Sequence, residues 1–561
     1  MHRRAFITSA LSPLLLPLSC KEQRDVAVPS GPPDAAEPAE RARVLDAMKR
    51  ATRFMTERAS YRGGYLWAYL PDFSRSWGEL EARRSMIWMQ PPGTPTVGHL
   101  LLDALHATGD EFYLHAATEV AGALIAAQHK SGGWNYVYDF AGEESLGQWY
   151  DTVARNAWRM EEFQYHPDNS TFDDACTGEA TQFLLRLRLE PAFASRPQAV
   201  AVAAALDRAL RLLALSQYPN GGWPQRFPPA PPEYSRFVTF NDDVLAENVR
   251  TLLMCHTALA ATGVLAPMRA AMDCVVSMQQ PLPQAGWGLQ HDLEGKPVAA
   301  RSYEPAALVT HTTAANIELL LGFHELTGDA KYTRRVPEAL DWLERVKLAP
   351  EQAREYGGTH PTFIEVGSGD PLYVHRRGSN VVNGAYYVDK TFAPRLSHYS
   401  PVRRLDLEGL RARLADLRSR PVPLAPLLPE RAGSVPLPRY FSLAAPTLRE
   451  LCTGSAPVQP VPREHALGLV AELDGEGRWL APLELVSNAY RGPGSRAPYP
   501  DATYASTNVG DRSDTSPYWL AAAPSGYATD GLGPDTAPIG ISVRRFLHNM
   551  GTLIAYLSSP A

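Results

Sequence analysis

Four times between residues 40 and 350, a helical stretch runs into a turn built on glycine and an aromatic residue. The turns are RGGYLWAY from Arg62, SGGWNYVYDF from Ser131, NGGWPQRFP from Asn220 and QAGWGLQHD from Gln284. Stretches near them (EFYLHAATEVAGALIAAQ, AVAVAAALDRALRLLALSQ, VLAPMRAAMDCVVSMQQ) place apolar residues at i, i+3, i+4 and i+7, often with a late glutamine. Alanine-rich helices that are apolar on more than one side must bury both, so they pack as an inner and an outer layer. Uneven spacing makes these degenerate repeats of one helical hairpin. A ring of hairpins, a mainly α, incomplete α/α toroid, is the economical way to cover them.

The 561 residues divide by composition into four stretches. Residues 1–20 read as an export signal, with Arg3-Arg4, a short apolar run and Ser19-Cys20 at a lipoprotein-like cleavage site. Residues 21–40, rich in proline, alanine and acid, read as a linker, and residues 41–418 as the toroid. Residues 419–561 form a less regular extension. It opens on a proline-rich wrap, SRPVPLAPLLPERAGSVPLP, continues through HALGLVAELDGEGRWLAPLEL as a small β hairpin, and closes on the amphipathic helix ISVRRFLHNMGTLIAYLSS. The expected location is outside the cytoplasm, periplasmic or lipid-anchored at the bacterial cell envelope, with membrane contact only through a lipid on Cys20; the expected state is a monomer. A formal net charge of −6 without a basic tail argues against nucleic acid as a partner, yet a local cationic site can still take a polyanion. The cysteines have no CxxC spacing, which argues against zinc; Cys255 and Cys274 sit in apolar helical runs and read as buried thiols, with a disulfide left open.

Three helix starts carry unusual charge. Asp173-Asp174 precede the helix of STFDDACTGEATQFLLRLRL, Asp242-Asp243 that of TFNDDVLAENVRTLLMCHTAL, and Arg301 stands just before Glu304-Pro305, read as another helix opening. An aspartate there commonly serves only as a cap, worth about 0.5–2 kcal/mol. Capping takes one carboxylate, however, and a second is spare for a cation. Because alternate helices of a ring begin at the same end, these distant residues can converge on one rim.

At YPNGGWPQRFP…FVTFNDDVLAENV, TFDDACTGEATQFL and QHDLEGKPVAARSYEPAAL, the chain resembles the family 10 polysaccharide lyases, also called pectic acid lyases; the likeness continues into TFIEVGSGDPLYVHRRG. The resemblance implies an exported lyase that binds a polygalacturonate-like acidic polysaccharide and cleaves it by calcium-assisted β-elimination. It implies calcium and substrate ligands at Asp173 and Asp174, a further calcium ligand at Asp242, the catalytic base at Arg301 and a carboxylate-gripping arginine at Arg376. Asp174 stands where the family has asparagine, and Thr362 where it has a second gripping arginine; the latter puts ordinary pectate as substrate in doubt.

The residue types suit the chemistry. Removing the C5 proton beside a uronate carboxylate puts charge next to charge, and a calcium ion held by hard oxygens relieves that cost. Arginine is an awkward base because its free pKa lies above about 12, so Arg301 either takes the proton or stabilises the charge that develops. His291 and Tyr303 are rival bases, and His291 is also a candidate for substrate contact or for orienting its loop. Trp223, with Trp134 and Trp287, either stacks on sugar or wedges hairpins together. Glu304 reads as an acid favourable to a helix N-terminus. Two further classes stay open: a non-catalytic glycan-binding lipoprotein, and a glycoside hydrolase, which needs two opposed carboxylic acids.

Overall fold

The computed structural model describes residues 38–151, 169–229, 233–261, 263–301, 303–376, 386–392, 400–419, 426–483 and 539–559. Among the described residues, six helical units form the body. Each is an outer helix followed in the chain by an inner one: α1 (Pro38–Phe54) and α2 (Thr94–Thr108), α3 (Glu111–Ala127) and α5 (Cys176–Leu189), α6 (Ala199–Ser216) and α7 (Val244–Leu259). The remaining pairs are α8 (Leu265–Ser277) with α9 (Thr310–Thr327), α10 (Val336–Arg345) with α12 (Leu407–Ser419), and α14 (Arg463–Glu472) with α15 (Val543–Ser558). Three short helices, α4 (Glu143–Trp149), α11 (Pro350–Tyr356) and α13 (Leu448–Thr453), fill between them. Outer α6 buries a single stripe through Val202, Leu206, Ala209 and Leu213, whereas inner α5 is buried on nearly every side. The inner helices follow one another as α15, α2, α5, α7, α9 and α12, with α13 between α7 and α9. This is the incomplete α/α toroid.

The glycine–aromatic turns are the joints of the ring. Gly63, Gly132 and Gly221 all have positive φ, and a Cβ on them would lie 2.2, 2.4 and 2.0 Å from the carbonyl oxygens of Glu119, Arg208 and Ala270, each on the next outer helix. Only glycine combines that conformation with that approach. The indole nitrogens of Trp134, Trp223 and Trp287 donate to Leu124 O (2.8 Å), Leu213 O (2.9 Å) and Val275 O (2.9 Å) on the helix just completed. The late glutamines tie successive units: Gln128 Nε2 donates to Gly132 O and Ala205 O, and Gln217 Nε2 to Gly221 O and Pro267 O. Each amide thus satisfies one carbonyl in its own turn and one on the following outer helix.

Trp223 is therefore a wedge and not a sugar platform: its ring is fully buried, as are those of Trp134 and Trp287. Trp223→Phe removes the donor to Leu213 O and trims the core. It is expected to cost about 2 kcal/mol in denaturant unfolding while leaving KM for an oligosaccharide substrate unchanged.

The described residues after 419 belong to the same plan. HALGLVAELDGEGRWLAPLEL does not fold as a hairpin. Its first half is α14, and Leu480–Pro482 pairs instead with Ile539–Ser542, which continues the sheet onto Ala68–Tyr69. Gly477, at positive φ, sits 2.7 Å (as a Cβ) from Arg50 O of α1, and Trp479 Nε1 donates to Leu469 O at 2.9 Å. This is a further copy of the joint, docking the last hairpin onto the first. The proline-rich stretch crosses the opposite rim, where it meets the C-terminal ends of inner helices. Leu428 N donates to Leu326 O, Gly433 N to His256 O and Val435 N to Thr257 O. Buried Asp103 then anchors it, accepting from Phe441 N, Ser442 N and Ser442 Oγ as well as from Arg186. Cys176, Cys255, Cys274 and Cys452 are buried free thiols, and among the described residues no helix is long and apolar enough to cross a membrane.

Candidate active site

Inner helices α5 and α7 begin in the same unusual way. In Thr171-Phe-Asp-Asp-Ala and Thr239-Phe-Asn-Asp-Asp, two successive non-glycine residues take left-handed backbone: Asp174 and Ala175 (φ 48° and 57°), and Asp242 and Asp243 (φ 50° and 57°). Such residues cost about 1–2 kcal/mol each outside glycine, and this kind of strain gathers at functional sites. Short ribbons fix the turns across units: Ser170–Thr171 pairs with Arg226–Phe227, and Val238–Thr239 with Gln290–His291. The consequence is a cluster in which oxygens of Asp173, Asp174 and Asp242 lie within 4.8 Å of one another.

Arg301 joins this cluster from 128 residues away in sequence. Its Nη2 donates to Asp173 Oδ2 at 2.7 Å, and its Nη1 to Asp242 Oδ2 at 3.1 Å and Glu304 Oε1 at 2.9 Å. Glu304 Oε2 accepts from Arg301 N at 3.0 Å, and Asn241 Nδ2 donates to both Glu304 Oε1 and Asp242 Oδ2. The ring of Tyr234 faces the guanidinium, 5.9 Å from its Cζ. Asp173 Oδ2 also accepts from Tyr136 OH, while its Oδ1, in a side chain 1% exposed, has no hydrogen-bond partner. Asp174 Oδ2 accepts from Gln90 Nε2 at 2.7 Å. Arg226 lies over the Tyr136 ring.

The electrostatics are lopsided. Burial raises the pKa of Asp173, but the charge of Arg301 and the hydrogen bond from Tyr136 outweigh it and hold this carboxyl well below its ordinary range. Burial, then the charges of Asp173 and Asp174, push Asp242 well above its ordinary value against the pull of Arg301. Asp242 thus resists ionisation, because burial and then its acidic neighbours outweigh the guanidinium. Hard oxygens, crowded negative charge and an unsatisfied buried carboxylate oxygen together fit a divalent cation.

Residues 144–374 match the model of the pectic acid lyase family. This segment is similar to the pectic acid lyases. No curated protein sequence matches the chain. Among solved structures, a mutant of the family 10 polysaccharide lyase from Cellvibrio cellulosa in complex with trigalaturonic acid is similar at 15% identity, over 49% of this chain and 85% of that chain, with a TM-score of 0.34. Cellobiose 2-epimerase from Spirochaeta thermophila is similar at 11% identity, over 60% and 76%, with a TM-score of 0.35.

Within the matched segment, Asp173, Asp174, Asp242 and Arg301 come together, and several other expected residues do not serve as read. His291 is fully buried. Its Nδ1 faces Gly295 O at 2.9 Å, its Nε2 accepts from Gly288 N at 2.9 Å, and burial pulls its pKa down to about 4. With both ring nitrogens committed to its own loop, it is neither base nor substrate ligand. Tyr303 is 2% exposed, within the core. Glu304-Pro305 opens no helix: a turn closed by Glu304 N on Arg301 O leads into strand Ala307–Val309, and α9 starts only at Thr310. Glu304 is accordingly a buried partner of Arg301 and not a helix-end charge. Thr362 is fully buried and donates to Ser400 O. Arg376 ends strand Pro371–Arg376, and its side chain lies outside the described residues, as do Arg377 and residues 1–37.

Sequence reasoning missed Gln90, Tyr136, Arg226, Tyr234 and Asn241. One signal was within reach. Tyr136 stands two residues after the turn tryptophan Trp134, whose buried indole is tied to Leu124 O.

Proposed function

We propose that this lyase cleaves a galacturonan, pectate-like polymer by β-elimination, with calcium held by Asp173, Asp174 and Asp242. The observation that carries the reading is the meeting of Asp173, Asp242 and Arg301, from three distant stretches, within 2.7–3.1 Å. When bound, calcium would neutralise the uronate carboxylate and so make the C5 proton more acidic. Asp173 would offer its unpartnered Oδ1, and Asp174 and Asp242 the further hard oxygens. Arg301 acts at C5, either taking the proton or holding the charge that develops beside it. The carboxylates of Asp173 and Glu304 against the guanidinium favour its charged form, which supports the second role. Exclusion of water by the buried floor strengthens that interaction. Arg3-Arg4 and Cys20 support placing the enzyme outside the cytoplasm, where such a polymer would be met.

The assay is direct. Purified protein with polygalacturonate and calcium is expected to generate the ultraviolet absorbance of an unsaturated uronate, and a chelator to abolish it. Binding without this absorbance on pectate, methylated pectin, alginate and glucuronan would point instead to a glycan-binding protein, and new reducing ends without a double bond to a hydrolase.

A further inference from the structure

The family match begins at residue 144, yet two of the side chains that touch the acids come from before it. Gln90 follows the strand Met86–Trp88 of the first hairpin, and Tyr136 precedes the strand Val137–Asp139 of the second; these two strands pair with each other. Gln90 is itself clamped, since its Oε1 accepts from Trp88 Nε1 at 3.0 Å while its Nε2 donates to Asp174 Oδ2 at 2.7 Å. Tyr136, 4% exposed, donates to Asp173 Oδ2, the same oxygen that takes Arg301 Nη2. Both donors therefore engage an Oδ2 atom. For Asp173 this leaves Oδ1 as a buried acceptor with no hydrogen-bond partner.

We infer that Gln90 and Tyr136 are positioning residues of the cation site, so that the two N-terminal hairpins complete a site whose ligands all lie in the family segment. The inference rests on the proposed cation at Asp173, Asp174 and Asp242. Asp173, locked through Oδ2, presents Oδ1 at a fixed angle, Gln90 holds the Asp174 carboxylate in place, and a donor outside the ligand shell commonly sets cation affinity in this way. Neither residue needs to touch the ion or the polymer.

Calorimetric titration of the full chain with calcium chloride, without polymer, reads the effect independently of turnover. Tyr136→Phe and Gln90→Ala are each expected to weaken calcium binding about 10- to 100-fold, with thermal unfolding of the calcium-free proteins still cooperative and near the parent's midpoint. Lys331→Ala, on the outer surface, serves as the control and should bind as the parent does. Two variants from two different hairpins keep the test open if one fails to fold. Calcium affinities equal to the parent's in a folded variant would overturn the inference, as would a parent that binds no calcium at millimolar concentration. The polygalacturonate assay separates the cases. Absent turnover with calcium binding that depends on Gln90 and Tyr136 sinks the lyase reading alone, and intact turnover with indifferent variants sinks this inference alone.

Discussion

Arg301→Lys is expected to fold, to bind calcium and to release unsaturated product about 10³-fold more slowly than the parent, with the loss in kcat and little change in KM. Lysine keeps the charge but not the fork. The guanidinium reaches Asp173 with one nitrogen and Asp242 and Glu304 with the other, a division that a single ammonium on a flexible stem cannot reproduce. Alanine is the poorer test. It would leave Asp173 and Glu304 without their cation in a buried cluster, and breaking buried pairs in this way typically costs about 3–5 kcal/mol, so lost activity could report lost structure. Steady-state kinetics on polygalacturonate, with the denaturant midpoint of the same preparation, distinguish the two. A variant with kcat within threefold of the parent would remove Arg301 from the chemistry.

Asp242→Asn separates stability from function in the opposite sense. The carboxyl of Asp242 is held well above its ordinary value by burial and by Asp173 and Asp174. A group whose folded pKa is raised contributes stability below its unfolded pKa, near 3.9, and loses it as pH rises through the folded value. At neutral pH the cluster therefore strains against ionisation of Asp242, and a neutral amide of the same shape should be tolerated or raise stability by about 1 kcal/mol. Calcium needs the ionised form. Calcium affinity of the parent should therefore rise with pH, and binding should release protons, visible as a dependence of the calorimetric heat on the ionisation enthalpy of the buffer. In Asp242→Asn the proton release should vanish and calcium affinity and turnover should fall by at least about 100-fold. Undiminished calcium binding would mean that Asp242 is not a ligand.

Much of the architecture is legible in the residues because hairpin packing is a repeated local problem. The runs expected as helices from periodicity at 111–128, 199–217, 264–280 and 541–559 form α3, α6, α8 and α15 within a few residues of each end. Two errors have local causes. Pro305 fixes φ equally well for a turn and for a first helical position, and the carboxylate of Glu304 closes the turn on Arg301 N. In the stretch from His465, the DGEG tetrapeptide resembles a hairpin loop, although Trp479 stands ten residues from its acceptor Leu469, as Trp134 and Trp223 stand from Leu124 and Leu213. The spacing of the other joints would have identified it.

The site was legible in its charges and not in its supports. Paired aspartates at helix starts are visible as excess capping groups, and the ring topology says they can meet. Asn241 and Glu304 lie 63 residues apart, and Gln90 and Asp174 84, and nothing periodic links either pair. His291 and Trp223 misled because residue type alone does not reveal that both are fully buried with their polar atoms already engaged.

The most direct measurement is a crystal structure of the protein grown with calcium, recorded where calcium scatters anomalously. The account predicts one anomalous peak about 2.3–2.6 Å from carboxylate oxygens of Asp173, Asp174 and Asp242, with Asp173 Oδ1 among them. A calcium-saturated crystal with no peak among these three aspartates, or with its peak elsewhere, would contradict it.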